Sequence, residues 1–586
     1  MLEFIQRLIQ RYDDVLAGLN DAAAQKPAFL KNLDSLRLAR AALNKTQLVE
    51  KRPDLALQVA VIGPTQAGKS SVVNLLIDES LAGVSALAGY TVHPQGFTVN
   101  VDPAQLTWLE DYFSGYTHST PECLSHDRYD SYVLMPSQTV HKTLPPSVVW
   151  DTPDFDSIDA AGYSDAVLRT AALADVVLLV VSKDKYADHS VWEIMKLLEP
   201  LAQPTLICLN KTNQDTQSTV ASSLEQKWKA TRTDKLYPII ALPYTNEQQL
   251  KEYAESLPQA LLAAINRVKR PSAQGNTRKF LQTHWQAWIA PLLEEHKTLD
   301  GWSVLLDEAI DDAVSVYERD YLNHSQHYET FQRALAELLK LLEVPGLATP
   351  LHYARKAITW PVRQLIKLGK SSGNKRKGQS EEDSQELTIL NQVFDHFIIR
   401  LSNDVLDKAS EDPEHTEWWQ MLGAKLREQK QAFSSQFDAA ALQYHEDFQA
   451  EIESSAQQLY SSLEEHPVAL NGLRATRVTT DATALAIAFH TGGIGLHDFI
   501  LAPAVLSMTS MLVEGALGGH MKKVERQLKK RQYEAVKQQL FIESIRGQLS
   551  ELPRQLDHKN RFNISTEMLE KAQQALETPK NGLRIF

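Results

Sequence analysis

Residues 57–77 read LQVAVIGPTQAGKSSVVNLLI. The opening LQVAVI is a short β-branched run of strand length, and SVVNLLI has the composition of a helix start. Between them Gly63-Pro-Thr-Gln-Ala-Gly68-Lys69-Ser70 satisfies GxxxxGK[ST] in the strand–loop–helix setting that this pattern requires. The residue types follow from phosphate chemistry. Glycines let the backbone curl so that successive N–H groups converge on a β-phosphate. Lys69 brings charge to the β and γ oxygens, and the Ser70 hydroxyl reaches Mg²⁺ at a helix N-terminus that already favours anions. The loop predicts a nucleoside triphosphate held with Mg²⁺ by Gly63, Gln66, Ala67, Gly68, Lys69, Ser70 and Ser71.

Outward from this loop, further β-branched runs recur at SVVW, ADVVLLVVS and PTLICLN, separated by helical stretches. That alternation predicts a mostly parallel sheet wrapped by helices, an α/β domain over residues 52–270. Residues 1–51 read as two helices, the second with apolar positions at Leu30, Leu33, Leu36 and Leu43. The start, MLEFIQRLIQRYDDVLAG, carries charges inside its apolar spacing, so it is expected to be an amphipathic helix and not a secretory signal. Beyond Arg270 strand-like runs nearly vanish, and three-to-four-residue apolar spacing in Leu, Ala, Glu, Gln and Lys predicts a large all-α domain or stalk over 271–586. Two stretches interrupt it. LHYARKAITWPVRQLIKLGK (Leu351–Lys370) is basic and amphipathic, and runs into a polar segment, 371–386, expected to be a mobile loop. Residues 482–519 are the most apolar part of the chain. No internal repeat is visible.

At 586 residues, two or three folded units are expected. Sixty basic against 73 acidic residues give a net charge of −13, which argues against wholesale coating of nucleic acid, and no DNA partner is expected. Cys123 and Cys208 lie far apart and suggest neither a disulfide framework nor a zinc site, so a reducing cytoplasm fits.

Three further motifs bear on the type of nucleotide. Asp151-Thr152-Pro153-Asp154 follows SVVW, where an aspartate would hold Mg²⁺ through water, and resembles the DTPG of translation-factor-type GTPases. The resemblance implies that the fourth residue gives a backbone N–H to the γ-phosphate. Asp154 can do so if its conformation does not demand glycine, and its carboxylate would repel phosphate unless turned away or paired. Asn210-Lys211-Thr212-Asn213 resembles the NKxD base-recognition motif. An aspartate there accepts from both N1–H and N2–H₂ of guanine, whereas Asn213 offers one acceptor and one NH₂. A mismatched buried hydrogen bond costs about 1–3 kcal/mol, so guanine preference is expected to weaken unless Asp215 substitutes. The threonine that reaches Mg²⁺ is read as Thr91, with Thr98 as the alternative inside a strand FTVNV. Twenty-two residues separate Thr91 from Lys69, comparable with Era-type GTPases. Phe155 stands where Ras-like enzymes keep a water-orienting glutamine, so Thr65 and Gln66 are the expected substitutes, as in dynamin-like GTPases. His93 reads as a solvated loop histidine, with a catalytic role as the alternative.

The block AGKSSVVNLL, these motifs, the leading helices and the long helical half together resemble bacterial dynamin-like and related membrane-associated GTPases. The resemblance implies GTP as ligand, nucleotide-dependent homo- or hetero-oligomerisation, and membrane-contacting elements at the tip of a helical stalk. Independently, the nineteen residues Phe499–Leu517 hold one charge, Glu514, near the length that spans a bilayer. Pro503, Glu514 and several Ser and Thr residues make them a poor simple span; preceded by Ala482–Phe489 and the turn Thr491–Gly495, they read as part of a helical hairpin over 482–519 that inserts partly, through Phe499, Ile500, Leu501, Val505, Leu506 and Leu512, or that packs within protein. The following MKKVERQLKKR and the run Lys375–Lys377 would attract anionic lipid; the other reading of the cations is a solvated helix face. Three functions stand: a slow GTPase switch, cytoplasmic or peripheral at the inner face of the cell membrane; a soluble regulatory GTPase in ribosome or RNA assembly; and a nucleotide-gated scaffold with relaxed base specificity or little hydrolysis.

Overall fold

The structure is a computed structural model that describes residues 1–19, 23–83, 91–124, 128–154, 160–244, 256–323, 385–413, 415–465, 518–556 and 561–577. It divides into two compact units, Met1–His296 with Asp557–Phe586, and Lys297–Leu556.

The first unit is built on an eight-stranded sheet in the order β3-β4-β2-β5-β1-β6-β7-β8. The strands are β1 (Leu57–Ile62), β2 (Gln95–Val99), β3 (Thr117–His118), β4 (Ser131–Pro136), β5 (Ser147–Asp151), β6 (Val176–Ser182), β7 (Thr205–Thr212) and β8 (Ile240–Pro243). Every pairing is parallel except β2 against β5. Helices cover both faces, which is why the central strands are buried at nearly every position and not at alternate ones. Val59 and Val61 face one core with Val72, Val73 and Leu76, while Ala60 and Ile62 face the other with Trp150, Val177 and Leu179.

That second core also takes in α1 (Leu2–Gly18) and α2 (Lys26–Lys51). Phe4, Ile5, Leu8, Ile9, Tyr12 and Val15 form the buried stripe of α1 at helical spacing, each worth roughly 1.5–3 kcal/mol of burial. On α2, Leu33, Leu36 and Leu43 are buried, whereas Leu30 is 46% exposed. Residues 1–51 thus share a core with the sheet. A buried carboxylate at the head of β6 ties them in: Asp175 accepts from Lys45 Nζ at 3.0 Å, Arg270 Nη2 at 2.7 Å and the Gln58 N–H at 3.0 Å.

The expected boundary at residue 270 is also regrouped. The division falls inside one helix, Ala273–Tyr317, between His296 and Lys297, and residues 561–577 return to the first unit. Arg11 Nε donates to the Phe562 carbonyl at 2.8 Å, the Phe562 ring meets Tyr12 edge-on at 4.7 Å, and the Phe562 N–H donates to Glu295 at 2.8 Å.

The second unit is helical throughout its described residues: the rest of Ala273–Tyr317, then Gln385–Glu411, Thr416–Glu464 and Gly518–Ala535, the last continuing through a π-helical stretch, Val536–Arg546. Its core gathers Trp302, Leu306, Phe394, Phe397, Phe437 and Phe541. A buried Glu386 carboxylate joins its own helix to three others, accepting from Tyr317 Oη at 2.8 Å and Gln532 Nε2 at 2.7 Å and pairing with His445 Nδ1 at 2.9 Å. Residues 385 and 386, expected at the end of a mobile loop, therefore open a helix, because Glu386 has buried partners. Gly518 and Gly519 are helical, in Gly518–Ala535. The rest of 371–386 and 482–519, the segment Leu351–Lys370 with Lys375–Lys377, and all six expected membrane-contact residues lie outside the described residues. Among the described residues no helix is long and apolar enough to cross a membrane.

Candidate nucleotide-binding site

The site forms where β1, β5 and β7 end and α3 (Lys69–Ile77) begins. Two glycines are required by contact. A Cβ on Gly63 would stand 2.2 Å from the Val180 carbonyl oxygen of β6, and one on Gly68, at φ +91°, would stand 2.3 Å from Asn210 Nδ2. Gln66 takes φ +59° without being glycine, a left-handed conformation that tightens the loop. Thr152 Oγ1 donates to the Val61 carbonyl at 2.9 Å and holds the end of β5 against β1.

Lys69 is buried and its ammonium is fully engaged, donating to the carbonyls of Gly63 at 3.1 Å and Pro64 at 3.4 Å and to the carboxylate of Asp154. Ser70 Oγ donates to Asp151 Oδ2 at 2.6 Å. The other oxygen, Asp151 Oδ1, is buried without a hydrogen-bond partner. Burial pushes the Asp151 carboxyl up to about 6, with Asp154 adding to the rise, while Lys69 and the Ser70 hydrogen bond pull against it. A hydroxyl and a carboxylate side by side, with one oxygen unpartnered, are oxygen donors of the kind that a magnesium ion would take, with phosphate and water completing its coordination. Among the described residues no cluster of three or more His, Cys, Asp or Glu could hold a metal by itself.

On the base side, Asn210 Nδ2 donates to the Ala67 carbonyl at 3.0 Å and its Oδ1 accepts the Lys211 N–H at 2.9 Å, which clamps the phosphate loop to β7. Lys211 takes φ +57° at a register irregularity between β7 and β8, and its Nζ donates to the Gln66 carbonyl at 2.7 Å. Asn213 caps α7 (Gln214–Thr231), its Oδ1 accepting the Thr216 N–H at 3.2 Å and the Thr216 hydroxyl.

Gly63–Ser70, Asp151, Asp154, Asn210 and Lys211 are thus brought together by hydrogen bonds. Ser71 lies in the first turn of α3. Thr65 is buried and Gln66 exposed within the loop. Thr91 is buried ahead of β2 and makes no hydrogen bond with Ser70 or Asp151, while Thr98 lies inside β2. His93 is 2% exposed, which corrects its expected solvation. Phe155 lies outside the described residues. The Val180 carbonyl, which closes the loop behind Gly63, carries no sequence signal, since any residue supplies a carbonyl.

Residues 58–211 match the profile of a family described as 50S ribosome-binding GTPase. This stretch is a P-loop GTPase domain. Two solved chains described as an oligomerised bacterial dynamin pair, providing a mechanism for the long-range sensing and tethering of membranes, are similar to the whole chain. One covers 99% of this chain and 99% of its own length at 10% identity and TM-score 0.31. The other covers 93% and 96% at 11% identity and TM-score 0.30. Scores of that size transfer no arrangement from those chains to this one. No curated protein matches the chain.

Proposed function

We propose that this chain binds GTP with Mg²⁺ and acts as a slow, nucleotide-dependent switch in a dynamin-like, membrane-associated protein. The observation that carries the nucleotide reading is the Ser70–Asp151 pair, 2.6 Å apart with Asp151 Oδ1 unpartnered, beside the buried ammonium of Lys69. In this reading the backbone of Gly63 to Ser71 cradles the phosphates, Lys69 meets the β and γ oxygens, and Asn210 and Lys211 support the base. Ser70 and Asp151, with Thr91 brought in on binding, hold the metal; bound Mg²⁺ neutralises charge on the phosphate oxygens. Thr65 and Gln66 orient water in place of the glutamine that Phe155 replaces, so unstimulated turnover is slow. The membrane part rests on the apolar composition of Phe499–Leu517, and the expected location is cytoplasmic or peripheral at the inner face of the cell membrane, in a nucleotide-dependent oligomer.

A second reading, relaxed base specificity, is favoured by Asn213, whose acceptor already serves the α7 cap. Titration of the full chain with GTP, ATP and XTP in Mg²⁺, followed by phosphate release, tests both. GTP is expected to bind, Lys69→Ala to lose at least a hundredfold in affinity, and turnover to be slow; no binding of any triphosphate would overturn the nucleotide reading. Equal affinity for all three would replace a GTPase with a purine-tolerant switch. Flotation with anionic liposomes, with Phe499→Asp/Leu501→Asp as control, tests the membrane part, and no lipid association in any nucleotide state would remove it.

A further inference from the structure

Asp154 is the residue that the nucleotide reading leaves unexplained. Glycine is expected at that position, and a carboxylate close to a phosphate is repelled by it. The structure places this carboxylate on the ammonium of Lys69, with both side chains buried at 5% and 10% exposure. Lys69 has three donors, and Gly63, Pro64 and Asp154 take all of them. The lysine that should meet phosphate oxygens therefore already meets an anion of the protein's own.

We propose that Asp154 is a built-in phosphate surrogate, which satisfies Lys69 in the empty site and is expelled when a nucleotide's phosphates arrive, so that affinity is set by competition between two anions for one ammonium. The inference rests on the nucleotide reading and adds what controls it.

The charge arrangement supports expulsion over sharing. Two carboxylates, Asp151 and Asp154, crowd a single lysine. A metal held by Ser70 and Asp151 would offset the charge of Asp151, whereas the charge of Asp154 would stay opposed to the incoming oxygens. A buried ammonium released from one anion must gain another at once, because an uncompensated buried charge is costly. Exchange of carboxylate for phosphate on Lys69 meets that demand, whereas simple departure of Asp154 does not. The empty site is thereby protected from the instability of an unpaired lysine, and nucleotide affinity is lowered by the same contact. Since a β-phosphate suffices to replace the carboxylate, GDP and GTP are opposed alike.

The test uses the full chain as wild type, Asp154→Asn, Asp154→Gly and Lys69→Ala, titrated with a fluorescent GTP analogue and a fluorescent GDP in Mg²⁺, with thermal melting in the absence and presence of nucleotide. Both Asp154 variants are expected to bind both nucleotides at least tenfold more tightly than wild type. They should melt at lower temperature when empty, yet show a larger nucleotide-induced rise. Binding by wild type with unchanged or weaker binding by both variants overturns the surrogate and makes Asp154 a positioning residue of the bound state. Tightening for the triphosphate alone also overturns it, since the competition would then be with the γ-phosphate only. If neither wild type nor variants bind while melting shows them folded, the nucleotide reading falls and takes this inference with it.

Discussion

The side chain of Asn213 serves a backbone before it serves a ligand. Its one acceptor oxygen receives the Thr216 N–H and hydroxyl at the start of α7, and the group left over is an NH₂, a donor. Guanine presents donors at that edge, so the two surfaces repel where a carboxylate would attract. Asn213→Asp keeps the cap, because aspartate and asparagine are equivalent at that position, and adds an acceptor. Preference for GTP over XTP is expected to rise about tenfold, from a hydrogen bond worth about 1–3 kcal/mol, in competitive nucleotide titration; an unchanged ratio would take Asn213 out of base recognition. The departure at Asn213 is legible in the sequence because the motif fixes its neighbours. What it binds instead is not, since an N-cap and a base contact draw on the same residue types. The same limit applies to Asp154, where the sequence requires only that its charge be paired or turned away; the partner, Lys69, lies 85 positions back. His93 shows the converse error. A histidine between Val92 and Pro94 has no local feature that reveals burial, which is decided by whatever folds over it.

Elements are most legible in the sequence where one period explains them. β1, β6 and β7 are continuous apolar runs of strand length and became the buried centre of the sheet. Leu30 has the same spacing as Leu33 and Leu36, and sequence spacing alone does not show where the partner face ends. The junction of α2, β1 and β6 depends on Asp175, whose partners come from three segments distant in the chain. Burial works to raise its pKa, but Lys45 and Arg270 outweigh it and hold the carboxyl below the usual range. A depressed carboxyl contributes stability that is present above its unfolded value, about 4, and is lost as pH falls through the lower folded value. Asp175→Asn leaves Lys45 and Arg270 buried without an anion and is expected to cost about 3–5 kcal/mol. Hydrogen exchange of β1 and β6 amides measures it, and because the variant lacks the group that titrates, its protection should also fall less steeply between pH 5 and pH 3. Unchanged protection at neutral pH would show that the ion pairs are ornamental.

At the scale of the molecule, the sequence yielded the fold classes and missed the partition. A shift from strand-like to helical patterning is visible near Arg270, but the helix Ala273–Tyr317 runs through the division without a break, even across Pro291, so nothing local marks residue 296. The return of residues 561–577 is equally silent, because an amphipathic segment does not name the face that it covers. Phe562, wedged edge-on against Tyr12 and Phe29, anchors that return. Phe562→Ala is expected to destabilise the first unit by about 3–5 kcal/mol, read as lost exchange protection in α1 and α2 with the helices of the second unit unaffected; loss in the second unit instead would contradict the division. The chain path has a temporal consequence. The ribosome makes the second unit between two parts of the first, and synthesis proceeds at roughly 5–20 residues per second. For tens of seconds, then, the nascent nucleotide-binding unit carries an open seam along α1 and α2 where Phe562 and its neighbours will lie. Chaperone dependence should therefore concentrate on that seam, and end only when residues 561–577 emerge.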